Sequence, residues 1–127
     1  MTADDRLKRL AEEAARLVEK SGGDPVEALR RLETGLSRED ACRIAEALRG
    51  LVEGYRAIEE GGVPSNAYLA LDAVYRAARR LCGSSVLDEE LARLVLAVLG
   101  LLAAGKAARA ASIASIIESR LSRGRGL

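Results

Sequence analysis

The chain has 127 residues, 49% of them apolar, with 20 basic and 19 acidic side chains and a formal net charge of +1. That length fits one domain burying about two-thirds of its unfolded surface. The apolar content excludes a wholly disordered chain, and near neutrality excludes nucleic acid or an acidic membrane as an obligatory electrostatic partner. The chain has no His, Trp or Phe, which removes the commonest general base, the commonest zinc ligand and most stacking platforms together.

Ala (23), Leu (20), Arg (17) and Glu (13) make up more than half of the chain, and all four are strong helix formers. Val and Ile together number 13, and the aromatics are three tyrosines. Strands want the residues that are scarce here. The expected class is all-α: about six antiparallel helices arranged as helix hairpins, in a bundle or a short α-solenoid. Residues 1–122 are expected to form the single domain and 123–127 a flexible basic tail.

Taken in chain order, Thr2 with Asp5 opens a first helix to about residue 20, with Leu7, Leu10, Ala11, Ala14, Leu17 and Val18 on one face. Gly22-Gly23 ends it. Asp24-Pro25-Val26-Glu27 then supplies an N-cap, a proline for the first helical position and an acid for a capping box. This second helix is short and stops near Thr34-Gly35. Ser37-Arg38-Glu39-Asp40 is another capping box, opening a long third helix to about residue 60. Its stripe of Ala41, Ile44, Ala45, Leu48, Leu51, Val52, Tyr55 and Ile58 has the spacing of one buried face. Gly61-Gly62 closes it, and Pro64-Ser65 begins a fourth helix ended by Gly83.

Ser85 with Asp88 caps a fifth helix to about residue 104, and a sixth follows Gly105 to about residue 122. The fifth differs from the rest. From Leu91 onward its only charge is Arg93, and its leucines and valines go all the way around. A helix apolar on every side must be buried on every side, either by the other helices or by a second subunit. The sixth adds a small-residue surface of alanines and serines, with Ile113, Ile116, Ile117 and Leu121 as its bulk. These two helices are expected to form the core hairpin, and Leu96, Leu99, Ile113 and Ile116 an oligomer interface.

Three helix junctions pair a glycine with an alanine five positions on: Gly23 with Ala28, Gly62 with Ala67 and Gly105 with Ala110. Glycine permits the reversing turn, and alanine one turn into the next helix lets the two pack closely. Around the third junction, Leu94, Ala97, Leu101, Gly105 and Ala110 resemble the small and large positions of a tetratricopeptide hairpin, as does Gly23-Asp24-Pro25-Val26-Glu27-Ala28 more faintly. The chain departs from that pattern in lacking its aromatics and its fixed period. An ordinary helical bundle with good turns accounts for the same residues. The resemblance implies a partner-binding scaffold rather than an enzyme.

Candidate chemistry is sparse. Cys42 and Cys82 lack metal-knuckle spacing and read as two free thiols, buried or semi-buried. A bridge between them becomes reasonable if the source is hyperthermophilic. An excess of 17 Arg over 3 Lys, no Gln and Asn66 as the one Asn fit a heat-adapted source, although a GC-rich genome or a designed chain gives a similar bias. Cys42, one turn inside its helix, and Lys106, just after the most apolar segment, are the only side chains that suggest a nucleophile. The ordinary reading of each is an inert thiol and a solvated lysine. The pairs Glu12-Glu13, Glu59-Glu60 and Glu89-Glu90 lack ligand spacing and read as solvated faces.

The fourth helix places Tyr68, Asp72, Tyr75 and Arg79 on one stripe, flanked by Arg76 and Arg80. Tyr and Arg recur at interface hot spots, so these six residues are the candidate interaction face. A local network of ion pairs is the plainer alternative. With Arg120, Arg123 and Arg125 a second basic cluster exists, and nucleic-acid binding would need the two to meet. The expected function is a non-catalytic helical interaction or scaffold module that self-associates, with a small helical subunit of a nucleoprotein complex as the alternative. No catalytic residue, cofactor or metal is expected. The acidic start Met1-Thr2-Ala3-Asp4-Asp5 and the shortness of the uncharged run 94–105 argue against a secretory leader and a membrane span, so the expected location is the cytoplasm.

Overall fold

The structure, a computed structural model, describes residues 3–33, 35–58 and 65–125, which form helices and no strand. In order these are α1 (Ala3–Lys20), α2 (Pro25–Leu29), α3 (Arg38–Ile58), α4 (Asn66–Gly83), α5 (Glu89–Ala103) and α6 (Ala107–Arg125). Thr2, Thr34 and the expected junctions at 59–64 lie outside the described residues.

Local chemistry starts the helices. Asp24 caps α2 by accepting the Val26 N–H at 3.0 Å, with Pro25 in the first turn. Ser65 caps α4 by accepting the Tyr68 N–H at 3.1 Å. At α3 the capping box is reciprocal: the Asp40 N–H donates to Ser37 Oγ at 3.1 Å and the Ser37 N–H to the Asp40 carboxylate at 2.9 Å. At α5 the cap is Asp88 itself, which accepts the Leu91 N–H at 3.2 Å, so Ser85 stands outside the box expected for it. Gly105, at φ +78°, reverses the chain between α5 and α6. The Gly105 and Lys106 N–H groups then donate to the Leu102 and Leu101 carbonyls at 3.0 and 2.9 Å, satisfying the end of α5.

Two boundaries differ from expectation. Helix α2 stops at Leu29, where the Leu32 N–H turns back to the Leu29 carbonyl at 3.0 Å. Helix α6 continues to Arg125, so the backbone of 123–125 is helical instead of a frayed tail.

The helices form a bundle with α5 at its centre, packed against α1, α2, α4 and α6. Helix α4 packs against α3 on one side and α6 on another, while α3 rests on α4 alone among these helix pairs. The hairpins therefore do not stack in chain order: α1 lies directly on α5. Residues Leu91, Leu94, Val95, Leu96, Val98 and Leu101 are each at most 1% exposed. Most of the fifth helix is thus buried within one chain, because four helices pack around it, while Leu99 and Leu102 stay partly exposed. No described helix is long and apolar enough to cross a membrane.

That ring corrects half of the expected oligomer interface. Leu96 and Ile113 are 0% exposed inside the chain and cannot meet a second one. Leu99 and Ile116 are half-buried at the edge of the core.

Candidate functional site

Both candidate nucleophiles are engaged. Cys42 and Cys82 form a disulfide that joins the second turn of α3 to the last turn of α4. This replaces the expected pair of free thiols and removes Cys42 as a resting nucleophile. The reason is the α3–α4 hairpin, whose antiparallel course sets the beginning of one helix beside the end of the other. Lys106 is exposed and ion-paired with Glu19, which ties the start of α6 to the end of α1. Among the described residues no group of three His, Cys, Asp or Glu side chains is placed to hold a metal.

Of the six residues of the α4 stripe, Tyr68, Asp72 and Arg76 come together in a network across three helices, while Tyr75 with Arg79, and Arg80, make separate contacts. Asp72 receives Arg76 at 2.9 Å along its own helix and Arg56 of α3 at 3.6 Å. Arg76 also pairs with Glu118 of α6. The Arg56 Nε donates to the Tyr68 hydroxyl at 3.4 Å, and the Arg79 guanidinium lies 5.7 Å from the centre of the Tyr75 ring. Arg80 donates to the Leu121 carbonyl at 3.3 Å. The stripe thus binds α4 to its neighbours, which is the plainer of its two sequence readings. Arg56 was missing from that reading because nothing local links it to a stripe twelve or more positions away.

Within the second basic cluster Arg120 is likewise occupied, and the side chain of Arg125 lies outside the described residues. Arg120 makes two bonds to the Asp88 carboxylate, at 3.0 and 3.1 Å, and a third contact to Glu90 at 2.9 Å. Asp88 therefore caps α5 and fastens α6 with one carboxylate.

Asp40 is the buried charged residue among the described residues, 3% exposed, held by Ser37 and by Arg6 reaching across from α1. Burial pushes its carboxyl upward, but the Ser37 N–H, the Arg6 guanidinium and the Ser37 hydroxyl outweigh it and hold it below the usual carboxylate range. At Asp88 burial also pushes upward, and Arg120 with the Leu91 N–H wins in the same direction. A carboxyl depressed in the folded state stabilises fully above its unfolded value, 3.8 here, and loses that contribution as pH falls through the folded value. The melting temperature should therefore be flat between about pH 5 and 8, where a chain without His has little to titrate, and fall steeply below about pH 4. Thermal denaturation across that range checks it, and Asp40→Asn should flatten the acid limb.

One opening on the surface is mainly apolar. A cavity of about 230 Å³ lies where α1, α3 and α5 meet, lined chiefly by Leu7, Ala11, Ile44, Leu96, Leu99 and Ala103. Lys8 and Glu12 stand at its rim. Helix α1 and helix α3 are clamped at one end by Arg6, which bonds the Gly35 carbonyl and Asp40. Of α3 only Ile44 lines this cavity. Residues spaced i, i+4 and i+7 share a helix edge, so Leu48 and Leu51 lie on the same side of α3 as Ile44, with Leu48 buried and Leu51 53% exposed. A wider depression of about 620 Å³ at the α1–α2 junction is lined by Lys20, Asp24, Glu27, Arg30 and Arg31. Its charges are of both signs, and Arg30 pairs with Glu27 at 3.1 Å.

The sequence marks Ile44, Leu48 and Leu51 as one buried stripe; Ile44 and Leu48 are buried and Leu51 is exposed, since periodicity does not say which end of a face a neighbour covers. In comparisons with known proteins, no family model, no curated protein and no solved structure matches this chain.

Proposed function

We propose that this chain is a non-catalytic helical interaction module that self-associates through the slot between α1 and α3. The observation that supports it is the slot itself: an apolar cavity open to solvent, with Leu99 at its floor and Leu51 beyond its edge, on a chain whose candidate chemical groups are paired. Exposed apolar surface that is contiguous and rimmed by charge is characteristic of contact sites. Leu99 carries over from the expected interface, whereas Leu96 contributes only from beneath.

The nucleoprotein alternative is weakened by its own arginines. Arg76 and Arg120 spend their charge on Asp72, Glu118, Asp88 and Glu90, and phosphate contacts need cations that are not already neutralised. A disulfide is uncommon in a mesophile's cytosol and regular in hyperthermophiles, so a cytoplasmic location belongs together with the heat-adapted reading of the composition.

Light scattering at micromolar concentration should give a mass above the 13.5 kDa of one chain. Leu51→Glu should return it to the single-chain value with unchanged helix content. Val86→Glu, at a side chain 79% exposed and away from the slot, should leave the mass unaltered. A wild-type mass of one chain at every concentration would overturn self-association.

A further inference from the structure

We propose that two copies of the chain join with their α1 helices antiparallel, so that the charges at the rim of each slot are neutralised by those of the other. This rests on the reading of the slot as a self-association surface and specifies its symmetry. Asp4, Lys8, Glu12 and Arg16 are all exposed and recur every fourth residue, so they form one ridge along α1. Their charges alternate in sign, and Lys8 and Glu12 stand at the rim of the slot. Inside a single helix this ridge would pair Asp4 with Lys8 and Glu12 with Arg16. The structure makes neither pair. Arg16 turns instead to Glu13 at 2.8 Å, and among the described residues no ion pair involves Asp4, Lys8 or Glu12. Lys8 ahead of Glu12 is also the order that an isolated helix favours less. Both rim charges are therefore left for something outside the chain.

A ridge of four alternating charges complements itself in one direction only. Run antiparallel about its midpoint, it sets Asp4 against Arg16 of the second copy and Lys8 against Glu12 of the second copy. A two-fold axis makes each of those contacts twice. Run parallel, it sets every charge against its own like, which costs free energy at all four positions. The axis passes between Lys8 and Glu12, beside the rim, so the two slot mouths lie together. Leu99 and Ala103, in the lining of each cavity, are then shielded from water by the same contact.

Size and net charge favour the same occupant. The cavity, about 230 Å³, is smaller than the roughly 300–1,000 Å³ of ordinary small-molecule pockets, so it suits a protein surface better than a free ligand. A net charge of +1 leaves little general repulsion between copies. Because the patch meets its own image, association closes at two chains.

Sedimentation equilibrium of charge-reversed variants tests this. The unaltered chain should approach twice 13.5 kDa and go no further. Lys8→Glu and Glu12→Lys each bring like charges together at two places, and each should weaken association by at least about 10-fold, with helix content unchanged by circular dichroism. The double reversal, Lys8→Glu with Glu12→Lys, restores opposite charges at every contact and should restore the mass. An equimolar mixture of the two single variants should form a mixed dimer, since one offers two acids where the other offers two bases. Single reversals that keep the original affinity, a double reversal that stays weak, or assemblies beyond two chains would overturn the antiparallel arrangement and leave self-association through the slot standing. An unaltered chain of single mass at every concentration would remove both, and saturable uptake of an apolar dye by that single chain would assign the slot to a small ligand.

Discussion

Replacing Cys42 and Cys82 by alanine, or reducing them, should lower the free energy of unfolding by about 4 kcal/mol and the melting temperature by about 15 °C. The bond closes a loop between residues 40 apart in sequence. In the unfolded chain that closure removes conformations, and the loss grows with the logarithm of loop length. The native side adds little to the change, because two half-buried thiols are small and need no charged partner. Domains of this size are stable by about 5–15 kcal/mol, so the uncrosslinked chain should still fold. Urea denaturation with and without reductant measures the difference, and a loss under about 1 kcal/mol would show that the crosslink does not constrain the unfolded state as the entropy argument requires.

Gly100→Ala should destabilise the chain by about 2–3 kcal/mol, even though alanine is the better helix former by about 1 kcal/mol. Helix α1 crosses α5 at this point. A methyl group at position 100 would press on the Ala11 carbonyl and come within 2.9 Å of the Ala15 Cβ. A backbone carbonyl cannot swing aside as a flexible side chain does, so the two helices must separate and loosen the packing on either side. Gly50 and Gly54 give the contrast. An added Cβ at either position meets nothing within 4 Å, so Gly50→Ala and Gly54→Ala should each stabilise by about 0.5–1 kcal/mol. The same substitution at three helical glycines thus changes sign with what lies opposite. Chemical denaturation of the three variants checks it, and a stabilised Gly100→Ala would mean that α1 and α5 are not in close contact.

Local signals were read well because they act over a few residues. Asp24, Ser65 and the Ser37–Asp40 box cap the helices that their side chains suggested. At the fifth helix, Asp88 took the cap from Ser85, since its carboxylate also holds Arg120 from a helix thirty-two positions away. The α4 stripe was visible as a stripe, but whether it met solvent or neighbours turned on Arg56 and Glu118, which no spacing rule connects to it. The slot was illegible for a similar reason. Its floor, Leu99 and Ala103, comes from one helix and its walls from two others.

Composition, period and punctuation thus sufficed for the helical class, the approximate helix limits and the deep burial of the fifth helix as far as Leu101, though not of 102–104, because each follows from interactions within a turn or two of chain. Which helix lies beside which was settled by packing. Helix α1 took the place on α5 where Gly100 allows close approach, and α3 was left with one neighbour and a crosslink. The pairing of Cys42 with Cys82, the sealing of Leu96 and Ile113, and the open slot all follow from that arrangement. Apolar periodicity marks a face for burial but is the same whatever covers it, and only the competition among helices for α5 assigns the cover.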